Sequence, residues 1–208
     1  LDLDGLEKTV FSGYASLQSE AQIVGIFSAA NEKLDIVPAN SEVLIILDTT
    51  PFYAESGGQI GDAGLLENNE ARFEVSDTQK QSDIFIHKGR LTSGKLKIGD
   101  SVRALVAGND RAAITLNHSA THLMNAALRS VLGDHVLQKG SLVEADRLRF
   151  DFSHGAPVSA EEIRRIEEQV NAEILANSEV SKEVMPIEAA RSKGALALFM
   201  DLWTQLIF

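Results

Sequence analysis

The amino-acid sequence predicts an α+β chain, with a small antiparallel β-barrel followed by an α+β core whose histidine-bearing helix packs on a sheet. Three observations predict it. Up to Gly108, short apolar stretches alternate with turn residues, as in a small barrel. After Asn109 the composition turns helical, with Ala120, Leu123, Met124, Ala126, Ala127 and Leu128 among strong helix formers. Further on, LRFDF (Leu148–Phe152) alternates with the period of a strand, and an amphipathic helical pattern follows it. The change of character divides the chain into a glycine-rich barrel subdomain, 1–108, and a core, 109–208.

The elements follow in order. Residues 1–8 read as a tail or linker. The apolar pieces VFSGYASL and AQIVGIFS, between Val10 and Phe27–Ser28, flank a polar patch and suggest a hairpin. Asn31–Asn40 is a loop with Pro38. Val43–Leu47 is a continuous apolar run bounded by polar residues, the signature of a buried strand. Arg72–Val75, Ile84–His87, Lys95–Ile98 and Val102–Val106 read as further strands, with turns at Ser93-Gly94 and Gly99-Asp100. A helix carrying His118 and His122 ends near Gly133, which can take the left-handed conformation past a helix end. His135–Leu137 is strand-like, and Gln138, Lys139, Gly140 and Ser141 form a polar turn. Ser159 with Glu162 makes a capping box for a helix over about 160–177, with Ile163, Ile166, Val170 and Ile174 at helical spacing. Val184–Ile187 is a short strand with Pro186 at an edge, and Ile187–Lys193 a short helix closed by Gly194.

Composition restricts the function. With 208 residues the chain has material for one large domain or two small ones with real cores. The formal net charge of -11 excludes attachment to nucleic acid by bulk electrostatics, so any RNA must meet a local basic patch or be delivered by another domain or chain. Candidate cations for such a patch lie in the second half: Lys139, Arg147, Arg149, Arg164, Arg165, Arg191 and Lys193. No Cys is present, so neither a disulfide framework nor a thiolate-rich zinc site can form. No apolar run approaches the ~20 residues of a membrane helix, and the acidic start LDLDGLEK lacks the features of a signal peptide. A cytoplasmic location fits.

Two stretches carry chemistry. His118 and His122 are one helical turn apart, so both imidazoles leave one face of the helix. Two nitrogen donors held that way are half of a tetrahedral zinc site. Spacing alone leaves open a polar helix edge or a pair of hydrogen-bonded core histidines. Ser119 stands where the His-Glu-x-x-His protease motif needs its general-base Glu, which disfavours peptide cleavage. The second stretch is Asp48–Asp62 (DTTPFYAESGGQIGD). Its Gly57, Gly58 and Gly61 let a ligand approach the main chain, whose N–H groups can bind a carboxylate or ester oxygen. A plain glycine turn between barrel strands is the alternative.

Four pieces of the sequence resemble the editing region of alanyl-tRNA synthetases and the related free-standing alanyl-tRNA editing proteins. They are TPFYAESGGQIGD (Thr50–Asp62), NHSATHLMNAALRSVLGDHVLQKGSLV (Asn117–Val143), LRFDFSH (Leu148–His154) and GALALF (Gly194–Phe199), in the family's order. The resemblance implies hydrolysis of the ester of tRNA(Ala) mischarged with serine or glycine. Such proofreading is needed because a pocket built for a methyl group discriminates weakly against an added hydroxyl or a missing methyl. The resemblance implies catalytic roles for Gln138, Glu55 and Ser56. It implies substrate binding by Gly57, Gly58, Gln59 and Lys139, and Zn2+ on His118 and His122. Mischarged tRNA(Ala) and the remainder of a synthetase chain are the implied partners. His154 reads as a turn histidine.

The sequence departs from the family after GALALF. The family's Cys and His of a Cys-Gly-Gly-Thr-His motif are replaced by MDLWTQLIF, so the implied core is truncated and its zinc site incomplete. The alternative implied by that departure is a catalytically incomplete tRNA-binding or structural module that keeps the editing fold.

Overall fold

A computed structural model describes residues 1–38, 40–179, 181–182, 185–192 and 206–207. The chain divides into two compact units, Leu1–Thr115 with Glu144–Asp146, and Leu116–Val143 with Arg147–Phe208.

The first unit is built on a closed six-stranded barrel. Its strands are β2 (Gln18–Ser28), β3 (Glu42–Leu47), β5 (Gly64–Glu67), β6 (Arg72–Gln81), β7 (Ile84–Ser93) and β8 (Ser101–Val106). They run in the order β2-β3-β7-β6-β5-β8, every pairing antiparallel, and β8 closes on β2. Closure removes the open edges that would otherwise recruit another strand. In β6, Phe73 and Val75 point inward while Arg72 and Glu74 are exposed, the alternation that one buried face demands. Ile23, Ile45, Leu47, Leu66, Phe73, Leu91, Leu96 and Val102 fill the interior. Outside the barrel, β1 (Val10–Phe11) pairs in parallel with β4 (Thr49–Thr50).

The expected strand over Val43–Leu47 is β3, with Ile45, Ile46 and Leu47 fully buried. Three readings are corrected in this unit. The expected hairpin before Ser28 is one long strand, β2. Its polar start, Gln18–Gln22, pairs with β8, and its apolar end pairs with β3. The polar patch is therefore strand, because its backbone groups are satisfied by a partner about 80 residues away. Lys95–Ile98 is not a strand. Gly94 and Gly99, both at positive φ, turn the chain at either end, and only Lys97 bridges Ile36. Leu96 still plugs the core. Residues 1–8 are not a loose tail, because Leu1, Leu3 and Leu6 pack against Phe27, Ile46 and Ile84.

The division between the units falls inside α1 (Gly108–Leu132), the expected histidine helix. It ends as expected at Gly133, whose φ is +114° and whose N–H donates to the Arg129 carbonyl at 2.9 Å. In the second unit, β9 (Gln138–Val143) pairs antiparallel with β10 (Leu148–Phe152). The alternating LRFDF is thus a strand, but the polar turn expected at Gln138–Ser141 is strand β9. The low strand propensity of Gln-Lys-Gly-Ser is overridden by the ladder to β10. His135–Leu137, expected as strand, is the turn and coil leading into it.

Phe150 and Phe152 of β10 pack with Met124, Ala127, Leu128 and Val131 of α1 and with Ile166 of α2 (Ala160–Ala176). The helix-on-sheet packing predicted from the sequence is this cluster. The expected capping box is present. Ser159 Oγ accepts from the Glu162 amide, and Glu162 Oε2 accepts from the Ser159 amide at 2.8 Å. These bonds, first with the Ser159 side chain, lower the pKa of the Glu162 carboxyl. At the other end Asn177 takes the left-handed conformation and caps the helix.

β11 (Ser181–Lys182) pairs with β12 (Leu206–Ile207), and α3 spans Ile187–Ser192. Pro186 lies just before α3 rather than in a strand edge, a position where its missing N–H costs nothing. Val184, Gly194, GALALF and the MDLWTQLIF tail apart from Leu206 and Ile207 lie outside the described residues. Among the described residues no helix is long and apolar enough to cross a membrane.

Candidate functional site

In the first unit the glycine stretch forms a tight, anchored loop. Ser56 and Gln59 exchange backbone hydrogen bonds at 3.1 and 3.0 Å across a two-residue turn. Gly57 and Gly58 supply that turn with φ of +63° and +86°, a combination that side-chain-bearing residues rarely adopt. Gly61 passes so close to β6 that a Cβ there would lie 2.1 Å from the Thr78 carbonyl oxygen. Glu55 is exposed, and its carboxylate accepts from Gln79 Nε2 at 2.6 Å. Gln59 is buried, whereas Gly57 at the tip is open to solvent. Tyr53 O–H donates to the Ser56 carbonyl at 3.4 Å, and burial raises its pKa, so the phenol stays protonated.

Two groups that sequence reasoning passed over hold this loop. Arg111, in the first turns of α1, chelates Asp62 through Nε at 2.9 and 3.0 Å and also pairs with it through Nη2. Its remaining donors reach the Gly13 and Pro51 carbonyls, each at 3.0 Å. Asp62 in turn accepts from the Tyr53 amide at 2.7 Å, so one guanidinium fastens both ends of the loop. The Asp62 side chain is 1% exposed, and a charge so buried is tolerable only when paired and hydrogen-bonded.

His87 is the second group. It is fully buried in β7, with Nδ1 3.0 Å from the Ile45 carbonyl and Nε2 2.7 Å from Thr50 Oγ1. Only Nδ1 can donate to a carbonyl, so Nε2 accepts from Thr50, whose oxygen also receives the Phe52 amide. Burial drives the imidazole pKa down to about 4, despite the opposing bond to Ile45. No motif marked either residue. The one available signal was a charged Arg followed directly by Ala112, Ala113 and Ile114.

In the second unit, the structure brings His118 and His122 together on one face of α1. Their ring centroids are 5.1 Å apart with planes 22° from parallel. Burial, and then the neighbouring His118, hold the His122 pKa at about 4. The ring is therefore neutral at pH 7, the form in which imidazole binds a metal. Among the described residues, no group of three or more His, Asp or Glu side chains stands ready to hold an ion. Gln138 opens β9 opposite Phe152, and Lys139 is exposed at a bulge in the ladder. Of the basic residues expected to form a patch, Arg149 pairs with Asp151, and Arg164 with Glu161 and Glu168.

Residues 3–110, about half of the chain, match the family of class II (A) tRNA synthetases. The chain belongs to that family. Its similarity extends past the family match. It is 53% identical over 194 residues to the alanine–tRNA ligase of Delftia acidovorans, covering 93% of this chain and 22% of the relative. It is 51% identical over 200 residues to that of Polynucleobacter asymbioticus, covering 96% and 23%. It is 49% identical over 199 residues to that of Herminiimonas arsenicoxydans, covering 95% and 23%. The chain thus spans under a quarter of the length of these synthetases.

Proposed function

We propose that this synthetase region is a proofreading hydrolase that cleaves the ester linking serine or glycine to tRNA(Ala). The observation that carries the reading is the His118–His122 pair, one turn apart with rings side by side and His122 held neutral. It is supported by the high identity to alanine–tRNA ligases over almost the whole chain. An aminoacyl ester is an activated bond, so a positioned water and a stabiliser for the developing oxyanion suffice. Gln138 supplies an amide that can orient that water. In the first unit, taken by itself, the Gly57-Gly58 turn offers backbone N–H donors, and Glu55 and Ser56 offer acceptors. Gln59 keeps the turn in register through its backbone, and Lys139 offers a cation to a phosphate.

His118 and His122 would hold zinc through two imidazole nitrogens, half of the usual ligand number. Zinc held there would supply Lewis-acid polarisation. The chain's own contribution is to present two imidazole nitrogens on one rigid helix.

Incubation with seryl- and glycyl-tRNA(Ala), with and without added zinc, tests the reading. Ester loss above the uncatalysed rate is expected, reduced by Gln138→Ala and by the double change His118→Asn with His122→Asn. Loss at the background rate under all conditions refutes it. The lack of a third ligand among the described residues favours a second reading, a catalytically incomplete tRNA-binding module. Filter binding that shows tRNA affinity without turnover selects that one.

A further inference from the structure

A second pair of histidines, unconnected with the spacing that drew attention to His118 and His122, meets in the second unit. His135 follows the end of α1, and His154 follows the end of β10. The ladder between β9 and β10 continues past its last paired residues through Ser153. The Ser153 amide donates to the Leu137 carbonyl at 2.9 Å, and Ser153 Oγ accepts from the Leu137 amide at 3.1 Å. This extension sets His135 Nε2 2.9 Å from His154 Nδ1. The ring centroids are 5.2 Å apart, close to that separation plus the two ring radii, and the planes differ by 24°. The rings therefore meet edge to edge and in line, sharing one hydrogen, rather than face to face.

The turn that carries His135 is braced. Arg129 donates to the Asp134 and Val136 carbonyls, each at 2.8 Å, and pairs with the Asp134 carboxylate at 2.9 Å. Gly133 leaves room for the ring, since a Cβ there would lie 3.1 Å from His135 Nδ1. His135 is exposed and His154 half-buried, so the pair is open to solvent and its rings can turn.

We propose that His135 and His154 form a surface site for a borderline divalent transition ion that accepts right-angle coordination, of the class of Ni2+ or Cu2+. Two nitrogens each about 2.0–2.1 Å from one ion and at right angles to it are about 2.9 Å apart, the spacing found here. The ion displaces the shared hydrogen and sits to one side of the line between the two nitrogens. Each ring remains neutral, its hydrogen moving to the nitrogen that faces away, so His135 presents Nε2 and His154 presents Nδ1. The lone pairs now face each other, and a rotation of both rings makes them converge. Water fills the remaining positions, so the site is exchangeable rather than closed. Its occupation ties the turn after α1 to the end of β10 and fixes the entry to β9, where Gln138 stands.

The test is a calorimetric titration with Ni2+ of the full chain carrying His118→Asn and His122→Asn, which silences the other pair. One-site binding is expected, lost on adding His135→Asn or His154→Asn. No binding to the doubly substituted chain, or binding that survives both further changes, overturns the proposal. Should the substituted chains fail to fold, the unmodified protein answers the question by NMR. Substoichiometric Ni2+ broadens the ring signals of both His135 and His154 if the site exists. Broadening confined to His118 and His122 overturns it.

Discussion

Acidification between pH 6.5 and 4 destabilises the barrel through His87, a residue that touches no proposed substrate. The unfolded chain takes up a proton on this imidazole near 6.5, whereas the native ring resists protonation until about 4. Between those values the unfolded state binds more protons, so native stability falls as pH falls, and the contribution is complete and flat only about one pH unit above 6.5. The gap, at ~1.4 kcal/mol per pH unit, is worth about 3 kcal/mol, of which most is spent by pH 4.5. The geometry explains the penalty. A charged ring would need Nε2 to donate, but Thr50 Oγ1 already points its hydrogen there, and no water reaches a fully buried side chain. Urea unfolding of the wild type and of His87→Gln at pH 7.5, 6.5, 5.5 and 4.5 measures the difference. His122 titrates in the same window, with a share reduced by its partial exposure, and cancels because both proteins carry it. The wild type should lose about 2–3 kcal/mol more than His87→Gln between pH 6.5 and 4.5. Parallel pH profiles would refute the assignment of a buried neutral histidine with Nε2 as acceptor.

Arg111→Ala leaves Asp62 buried without its partner and frees the glycine loop at both ends, a loss of about 3–5 kcal/mol in unfolding free energy. Arg111→Lys keeps the charge but cannot reach Asp62, Gly13 and Pro51 together, and should recover only part of that loss in the same melt. Leu96→Ala empties a fully buried site in the barrel core and should cost about 2–5 kcal/mol in urea, where an exposed turn residue would cost little. Ser159→Ala removes the cap of α2 at a cost of about 1 kcal/mol. It should also move the Glu162 carboxyl titration, followed by NMR, upward toward its ordinary value, since the Ser159 bonds are what lower it.

The sequence by itself determined whatever depends on neighbours a few residues apart. The apolar run Val43–Leu47, the alternation of Leu148–Phe152, the stop at Gly133 and the capping box at Ser159 and Glu162 each act within one or two turns of chain, and each was legible. The projection of His118 and His122 from one helical face follows from the same short-range geometry. Tertiary structure decided the features whose partners are remote. Gln138–Ser141 is a strand only because β10 pairs with it, and Gln18–Gln22 only because β8 does. Arg111 finds Asp62 49 residues away, His87 finds Thr50 across 37, and His135 meets His154 across 19. Propensity and capping are local free energies written into the order of residues. A backbone hydrogen bond between distant strands, or the pairing of a buried charge, acquires its value only when folding has removed the water that would otherwise satisfy it.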